Sequence, residues 1–173
     1  MQIKFQLNGR PLSRDVRPDT TLMTVLREAG CTSVKCGCET TSCGLCTVFV
    51  DDRPMLSCAY PAPRAQGKTI VTLEGLQDIA ANFGAFLADQ GADQCGFCNP
   101  GFVMNVIAMQ RAFDLKPGSP MPSDDDIRGF LAGNLCRCTG YAGQTRAIRQ
   151  YLSEWVGCVE IADGEAAGEV SCG

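Results

Sequence analysis

Eight of the twelve cysteines in this chain fall into two four-cysteine sets, and each set asks distant segments to converge on one point. The first runs Cys38-x4-Cys43-x2-Cys46, with Cys58 following after eleven residues. The second opens with Cys95-x2-Cys98 and closes far downstream with Cys136-x-Cys138. Whatever the chain folds into must bring those thiols together.

The first spacing is the plant-type ferredoxin run, in which four thiolates hold a 2Fe–2S cluster. A structural zinc site is the competing explanation. Such sites normally use two tight Cys-x2-Cys knuckles, and only Cys43 and Cys46 form one here. Gly37 and Gly44 flank ligands where a cluster sulfur needs backbone N–H groups close by, without a Cβ in the way. Cys36 lies two residues before Cys38; taking it as the first ligand would stretch the leading spacer, so it reads as a bystander thiol.

The second set has its own logic. Cys98 precedes Asn99-Pro100-Gly101, with Pro100 a natural first helical residue, and Cys138 precedes Thr139-Gly140 and a further helix. Both pairs therefore sit just before helix N-termini, where free N–H groups and the positive dipole end favour an anionic cluster. Each pair alone has little specificity, since Cys-x2-Cys also serves redox and zinc sites. Together they supply four ligands.

Histidine is absent from all 173 residues, which removes Cys/His zinc fingers, Rieske clusters and imidazole bases. Any metal must be held by thiolates, which suit iron–sulfur clusters or structural zinc. Net charge is −4 with scattered Lys and Arg, so no nucleic-acid or anionic-membrane surface is expected. The N-terminus shows no signal-peptide pattern and the longest apolar stretch, Phe102 to Met109, is too short to span a bilayer. The expectation is a cytoplasmic protein, where reducing conditions turn paired cysteines toward metals. Glu39, Asp51, Asp52 and Asp124 to Asp126 read as solvated or capping carboxylates, and no phosphate loop is present.

Hydrophobic content of 45% allows a packed core. The first part reads as β-rich: alternation at Ile3, Phe5 and Leu7, an Asn8-Gly9 hairpin turn, a strand from Leu12 to Val16, and a short helix from a Thr20 or Thr21 cap to Gly30. A second hairpin spans Thr47 to Val50 and Met55 to Ala59, and Thr69 to Leu73 supplies another strand. Pro61 to Lys68 reads as a cover over the sheet. Four apolar stripes follow: Leu76, Ile79, Ala80, Phe83 and Leu87; Val103, Val106, Ile107 and Phe113; Ile127, Phe130, Leu131 and Leu135 behind a Ser123 cap; and Ile148, Tyr151, Leu152, Trp155 and Val156. Four such helices should bundle. The division expected is residues 1–75, residues 76–158, and an acidic mobile tail over 159–173. Cys31 reads as core; Cys158 and Cys172 read as surface thiols, a disulfide between them being the alternative.

These motifs resemble a known family. Lys35-Cys36-Gly37-Cys38, Ser42-Cys43-Gly44-Leu45-Cys46-Thr47-Val48, Ser57-Cys58, Gln94-Cys95-Gly96-Phe97-Cys98-Asn99-Pro100-Gly101 and Gly133-Asn134-Leu135-Cys136-Arg137-Cys138-Thr139-Gly140-Tyr141 are similar to the iron–sulfur subunit of the molybdenum hydroxylases, of xanthine dehydrogenase, aldehyde oxidoreductase and carbon monoxide dehydrogenase type. The similarity extends to about residue 157. Asn99, Leu45 and Thr41 depart from the usual threonine, alanine and glycine.

The resemblance implies an α+β fold, with an N-terminal β-grasp ferredoxin-like domain followed by a four-helix bundle 2Fe–2S domain. It implies an electron-transfer subunit, with one cluster on Cys38, Cys43, Cys46 and Cys58 and another on Cys95, Cys98, Cys136 and Cys138. Electrons would come from a molybdenum–pterin cofactor in a large partner subunit, then leave for FAD in a medium one, in a dimer of heterotrimers. The positions matching Gln94 and the Cys138 backbone touch the pterin in that family. A free-standing two-cluster carrier or sensor, and a zinc-stapled interaction module, are the other readings.

Overall fold

We describe residues 1–157 of the chain from a computed structural model. The expectations for Cys158, Cys172 and the tail over 159–173 lie outside the described residues.

Strands β1 (Gln2–Leu7) and β2 (Arg10–Asp15) pair antiparallel through a two-residue turn. Asn8 and Gly9 take φ of 50° and 77°, the left-handed pair that matches a tight hairpin to the twist of its strands. Thr21 caps helix α1 (Leu22–Glu28) by accepting from the Thr24 N–H, and Gly30 at φ 92° ends the turn after it. Strands β3 (Thr47–Val50) and β4 (Arg53–Leu56) form the second hairpin.

β4 thus ends before Ser57 rather than running to Ala59. The chain turns there, the Ala59 and Tyr60 N–H groups donating to the Leu56 and Ser57 carbonyls at 3.0 and 3.4 Å, while the Ser57 N–H and hydroxyl both donate to the Cys46 carbonyl, at 3.2 and 2.7 Å. β5 (Thr69–Val71) is likewise shorter than the Thr69 to Leu73 run, which breaks into a 3-10 turn at Leu73–Gly75.

The five strands lie in the order β2-β1-β5-β3-β4; β1 and β5 are parallel and the other neighbours antiparallel. Pro54 is tolerated because β4 is an edge strand, with one side free of ladder bonds. Leu22, Val25 and Leu26 of α1 bury against Ile3, Phe5 and Ile70 of the sheet. Ala62 and Ala65, in the covering turn after Pro61, join that core.

Helices α2 (Gln77–Asp89), α3 (Asn99–Ala112), α4 (Asp124–Leu131) and α5 (Ala142–Gly157) share a second core. α3 runs through its middle, buried at every position from Gly101 to Met109 except Asn105. The Phe83 ring sits edge-on to Tyr151 at 5.0 Å and stacks with Phe102 at 6.2 Å. Ser123 and Asp126 close a full capping box on α4.

The stripes were broader in sequence than in space. Ile79, Phe113 and Trp155 stay exposed by 37%, 40% and 48%. Trp155 lies across the surface, its indole N–H donating to the Leu115 carbonyl at 3.1 Å. Leu135 falls beyond the end of α4 and is 48% exposed beside the cysteines.

β3 joins the two cores. Val48 and Val50 face the sheet core under α1, whereas Phe49 enters the helical core, with the Arg111 guanidinium 4.3 Å from its ring centroid. Alternation along a strand places successive side chains on opposite faces, so one four-residue segment is shared by both halves of the molecule.

Candidate metal centres

The loop between α1 and β3 carries Cys36, Cys38, Cys43 and Cys46, and Cys58 follows β4. Cys43 faces Cys38, and with the N–H groups of Thr40, Ser42 and Cys43 it holds the Cys38 thiol down to about 6. Such inward-pointing N–H groups stabilise negative charge on sulfur. Burial, followed by contact with Cys46 and the charge of the other sulfurs, pushes Cys58 up to about 12. Burial also raises Cys43, against the Leu45 N–H that pulls it down.

The second set forms where α3 and α5 begin. Cys98 is the residue capping α3, and Cys136 and Cys138 occupy the loop before α5. The Cys138 and Cys95 sulfurs lie 3.4 Å apart. Burial and the neighbouring Cys136 push the Cys98 thiol up to about 12, with Gln144 acting in the opposite sense. Burial raises Cys136, yet the Thr139 hydroxyl and the N–H groups of Thr139 and Cys138 outweigh it, and the thiol ends below its ordinary value. Tyr141, at φ 67°, brings its hydroxyl back to accept the Cys136 N–H at 2.9 Å.

In both places the sulfurs come together two by two: Cys38 with Cys43 and Cys46 with Cys58, then Cys98 with Cys136 and Cys95 with Cys138. Among the described residues no group of three or more Cys, Asp or Glu could hold a single metal ion. Two sulfur pairs per site fit a binuclear core, in which each metal takes two protein ligands. An all-thiolate donor set suits iron–sulfur chemistry.

The two sites touch. Cys43, Leu45 and Cys98 bury together with Cys38 and Cys136 against them, and a cleft of about 400 Å³ is lined from both sets. Two glycines permit this approach. A Cβ on Gly44 would collide with the Gly133 carbonyl, and one on Gly101 would lie 2.7 Å from Leu45 Cα. Asn105 pins the junction, donating to the Gly101 carbonyl at 2.9 Å and to Asn134 Oδ1 at 3.1 Å.

The family of 2Fe-2S iron–sulfur cluster binding domains matches residues 5–71, and the family of [2Fe-2S] binding domains matches residues 72–149. The chain is 44% identical over 145 residues to the xanthine dehydrogenase iron–sulfur-binding subunit of Escherichia coli O157:H7, covering 80% of this chain and 86% of that one. It is 38% identical over 150 residues to the nicotinate dehydrogenase small FeS subunit of Eubacterium barkeri, covering 85% of this chain and 92% of that one. Quinoline 2-oxidoreductase from Pseudomonas putida 86 contains a chain that superposes with a TM-score of 0.76 at 36% identity, covering 89% of this chain and 94% of that one.

The chain belongs to the iron–sulfur subunits of the molybdenum hydroxylases. It is an α+β electron-transfer subunit of an oxidoreductase with two 2Fe–2S binding domains.

Other residues that stand out in the sequence of this iron–sulfur subunit lie around the two sites or in the scaffold. Gln94 is exposed beside Cys95, in the loop after α2, which ends at Asp89. Cys36 is exposed, its sulfur 3.8 Å from the Cys38 carbonyl, and Cys31 is buried in the sheet core. Asp51 and Asp126 are structural carboxylates: one pairs with Lys68 and accepts the Thr69 N–H, the other closes the α4 cap. Sequence reasoning missed Thr139 and Gln144, whose hydroxyl and amide reach Cys136 and Cys98 at 3.2 and 3.7 Å. A signal for Gln144 was present: it lies one and two helical repeats before Ile148 and Leu152, a polar residue on the apolar stripe of α5.

Proposed function

We propose that this subunit relays electrons from a molybdenum–pterin site in a large partner subunit, through its two sites, toward a flavin subunit. Cys38, Cys43, Cys46 and Cys58 hold one 2Fe–2S cluster and Cys95, Cys98, Cys136 and Cys138 hold the other. Each cluster supplies one-electron transfer when bound. The chain's own residues hold the sulfurs in pairs, exclude water with Leu45 and direct N–H groups at the thiolates.

In the finer reading, residues 1–75 form a β-grasp ferredoxin-like domain and residues 76–158 a four-helix bundle, each with its own cluster. The parallel pairing of β1 with β5 beneath α1, and the common core of α2 to α5, support that division. Gln94 and the Cys138 backbone face the pterin. In support, Cys95 and Cys138 are exposed and Phe97, Leu135 and Tyr141 stand around them with 44%, 48% and 40% of their surfaces free, an apolar rim suited to a partner chain. The complex is a cytoplasmic dimer of heterotrimers. No helix among the described residues is long and apolar enough to cross a membrane.

The observation that carries this reading is the meeting of two four-thiol sites across Leu45. A lone carrier needs only one of them, so the paired arrangement favours a relay over a free-standing carrier or sensor. Reduced protein should give two separable paramagnetic signals, with iron and acid-labile sulfide matching two 2Fe–2S centres. One signal with half the iron would refute the two-cluster reading, and purification without larger chains would favour the carrier. Gln94→Ala should leave both signals intact and slow their reduction by substrate in rapid mixing. An unchanged rate would remove Gln94 from the entry face.

A further inference from the structure

Gln144 is the one polar side chain on the buried stripe of α5, with 1% of its surface exposed. Its amide Nε2 lies 3.7 Å from the Cys98 sulfur, a hydrogen-bonding distance for an atom as large as sulfur. Its Oε1 has no hydrogen-bond partner among the described residues. A buried, half-satisfied amide costs free energy that a leucine or methionine of similar size would avoid. Packing therefore does not explain it.

The orientation of the amide follows from the chemistry of its neighbour. A thiolate bound to metal has no proton and can only accept, so the –NH2 end must face Cys98 and the carbonyl must face away. The donor is also selective. Cys98 and Cys136 form the inner pair, receiving Gln144 Nε2 and the Thr139 hydroxyl, and they abut Cys43 and Leu45 of the other site. Cys95 and Cys138 form the exposed outer pair.

We propose that Gln144 is a positioning residue that sets the reduction potential of the second cluster, through an N–H···S hydrogen bond to Cys98. Reduction adds one negative charge, which spreads onto the thiolate sulfurs. A fixed donor at Cys98 stabilises that charge more than it stabilises the oxidised cluster, so it raises the potential. Because the donor acts on the inner pair, it draws the electron toward the side facing the first site. The carbonyl end bears the cost, since Oε1 is buried without a hydrogen-bond partner among the described residues.

This inference rests on Cys95, Cys98, Cys136 and Cys138 being the ligands of the second cluster. The test is potentiometric titration of the intact complex, following the two paramagnetic signals separately in wild type, Gln144→Leu and Gln144→Met. Both variants remove the donor and keep the volume. In each, the reduced-to-oxidised ratio of the second cluster at a fixed potential should fall about tenfold, equal to 59 mV downward for one electron, while the first cluster stays put. A change under about twofold, or an equal shift of both clusters, would overturn the proposal. So would loss of the second cluster in both variants, since Gln144 would then be needed for assembly rather than tuning. Absence of a second signal in wild type would instead overturn the ligand assignment beneath it.

Discussion

The peptide N–H of Leu135 donates to the carbonyl of Cys43 at 2.8 Å, joining the two cysteine loops backbone to backbone. Leu135 directly precedes Cys136, so a single hydrogen bond separates a residue of the first thiol set from the neighbour of one in the second. The rigidity of this junction matters, because any change in its spacing alters both sites together.

Gly44 is one of the two glycines that permit the junction, and it is left-handed at φ 72°. Gly44→Ala should therefore lose about 1–2 kcal/mol to the backbone conformation alone. The collision with the Gly133 carbonyl adds to that loss, because neither backbone can move without breaking the Leu135 bond. Gly133→Ala is the control, since a Cβ there meets nothing within 4 Å. Thermal unfolding should separate the two, with equal Tm values counting against the close approach.

Phe49 is fully buried in the helical core although it belongs to β3. Phe49→Ala should cost about 3–5 kcal/mol, as is typical for truncating a buried aromatic. Because Val48 and Val50 serve the other core, the loss should lower the unfolding midpoint of both halves together. Calorimetry resolving one half melting alone at its original temperature would contradict the shared strand.

Cys43→Ser should remove the paramagnetic signal of the first cluster and leave the second. The Leu135 bond uses the backbone carbonyl of Cys43, so it survives the substitution. Loss of both signals in soluble protein would show that the two halves cannot load independently.

Cluster-free protein should show uneven thiol reactivity. Cys38 is held at about 6, below the ordinary 9.0, by Cys43 and backbone N–H groups, whereas Cys58 and Cys98 are pushed up to about 12, chiefly by burial. The thiolate is the nucleophile, so alkylation of Cys38 should rise through pH 6 and exceed that of Cys58 and Cys98 at pH 7. The sign for stability follows: a depressed value favours folding fully above pH 9, and that contribution fades as pH falls toward 6. Peptide mapping after brief alkylation checks the order, and uniform labelling would mean the loop has lost its N–H cradle.

Much of the site was legible in one dimension because ligand spacing is a local property. Four thiols at Cys38, Cys43, Cys46 and Cys58, and a Cys-x2-Cys pair ahead of Pro100, announce their chemistry wherever the chain folds. Turns were legible for the same reason: Asn8-Gly9 and the caps at Thr21 and Ser123 act within a few residues of themselves. The stripes through Phe83 and Leu152 marked helices because burial repeats with the helical period.

What lay between the elements was decided only by tertiary structure. Gly44 looked like a concession to a cluster sulfur, yet its missing Cβ makes room for Gly133, far away in the chain. Ile79, Leu135 and Trp155 matched a helical stripe and still face solvent, because a period specifies a face and not its width. Whether Gln144 would sit in water or on Cys98 depended on how α5 docks against α3. Periodicity and spacing act along the chain, whereas close approach and hydrogen bonding to sulfur act across it, and only the fold brings those surfaces together.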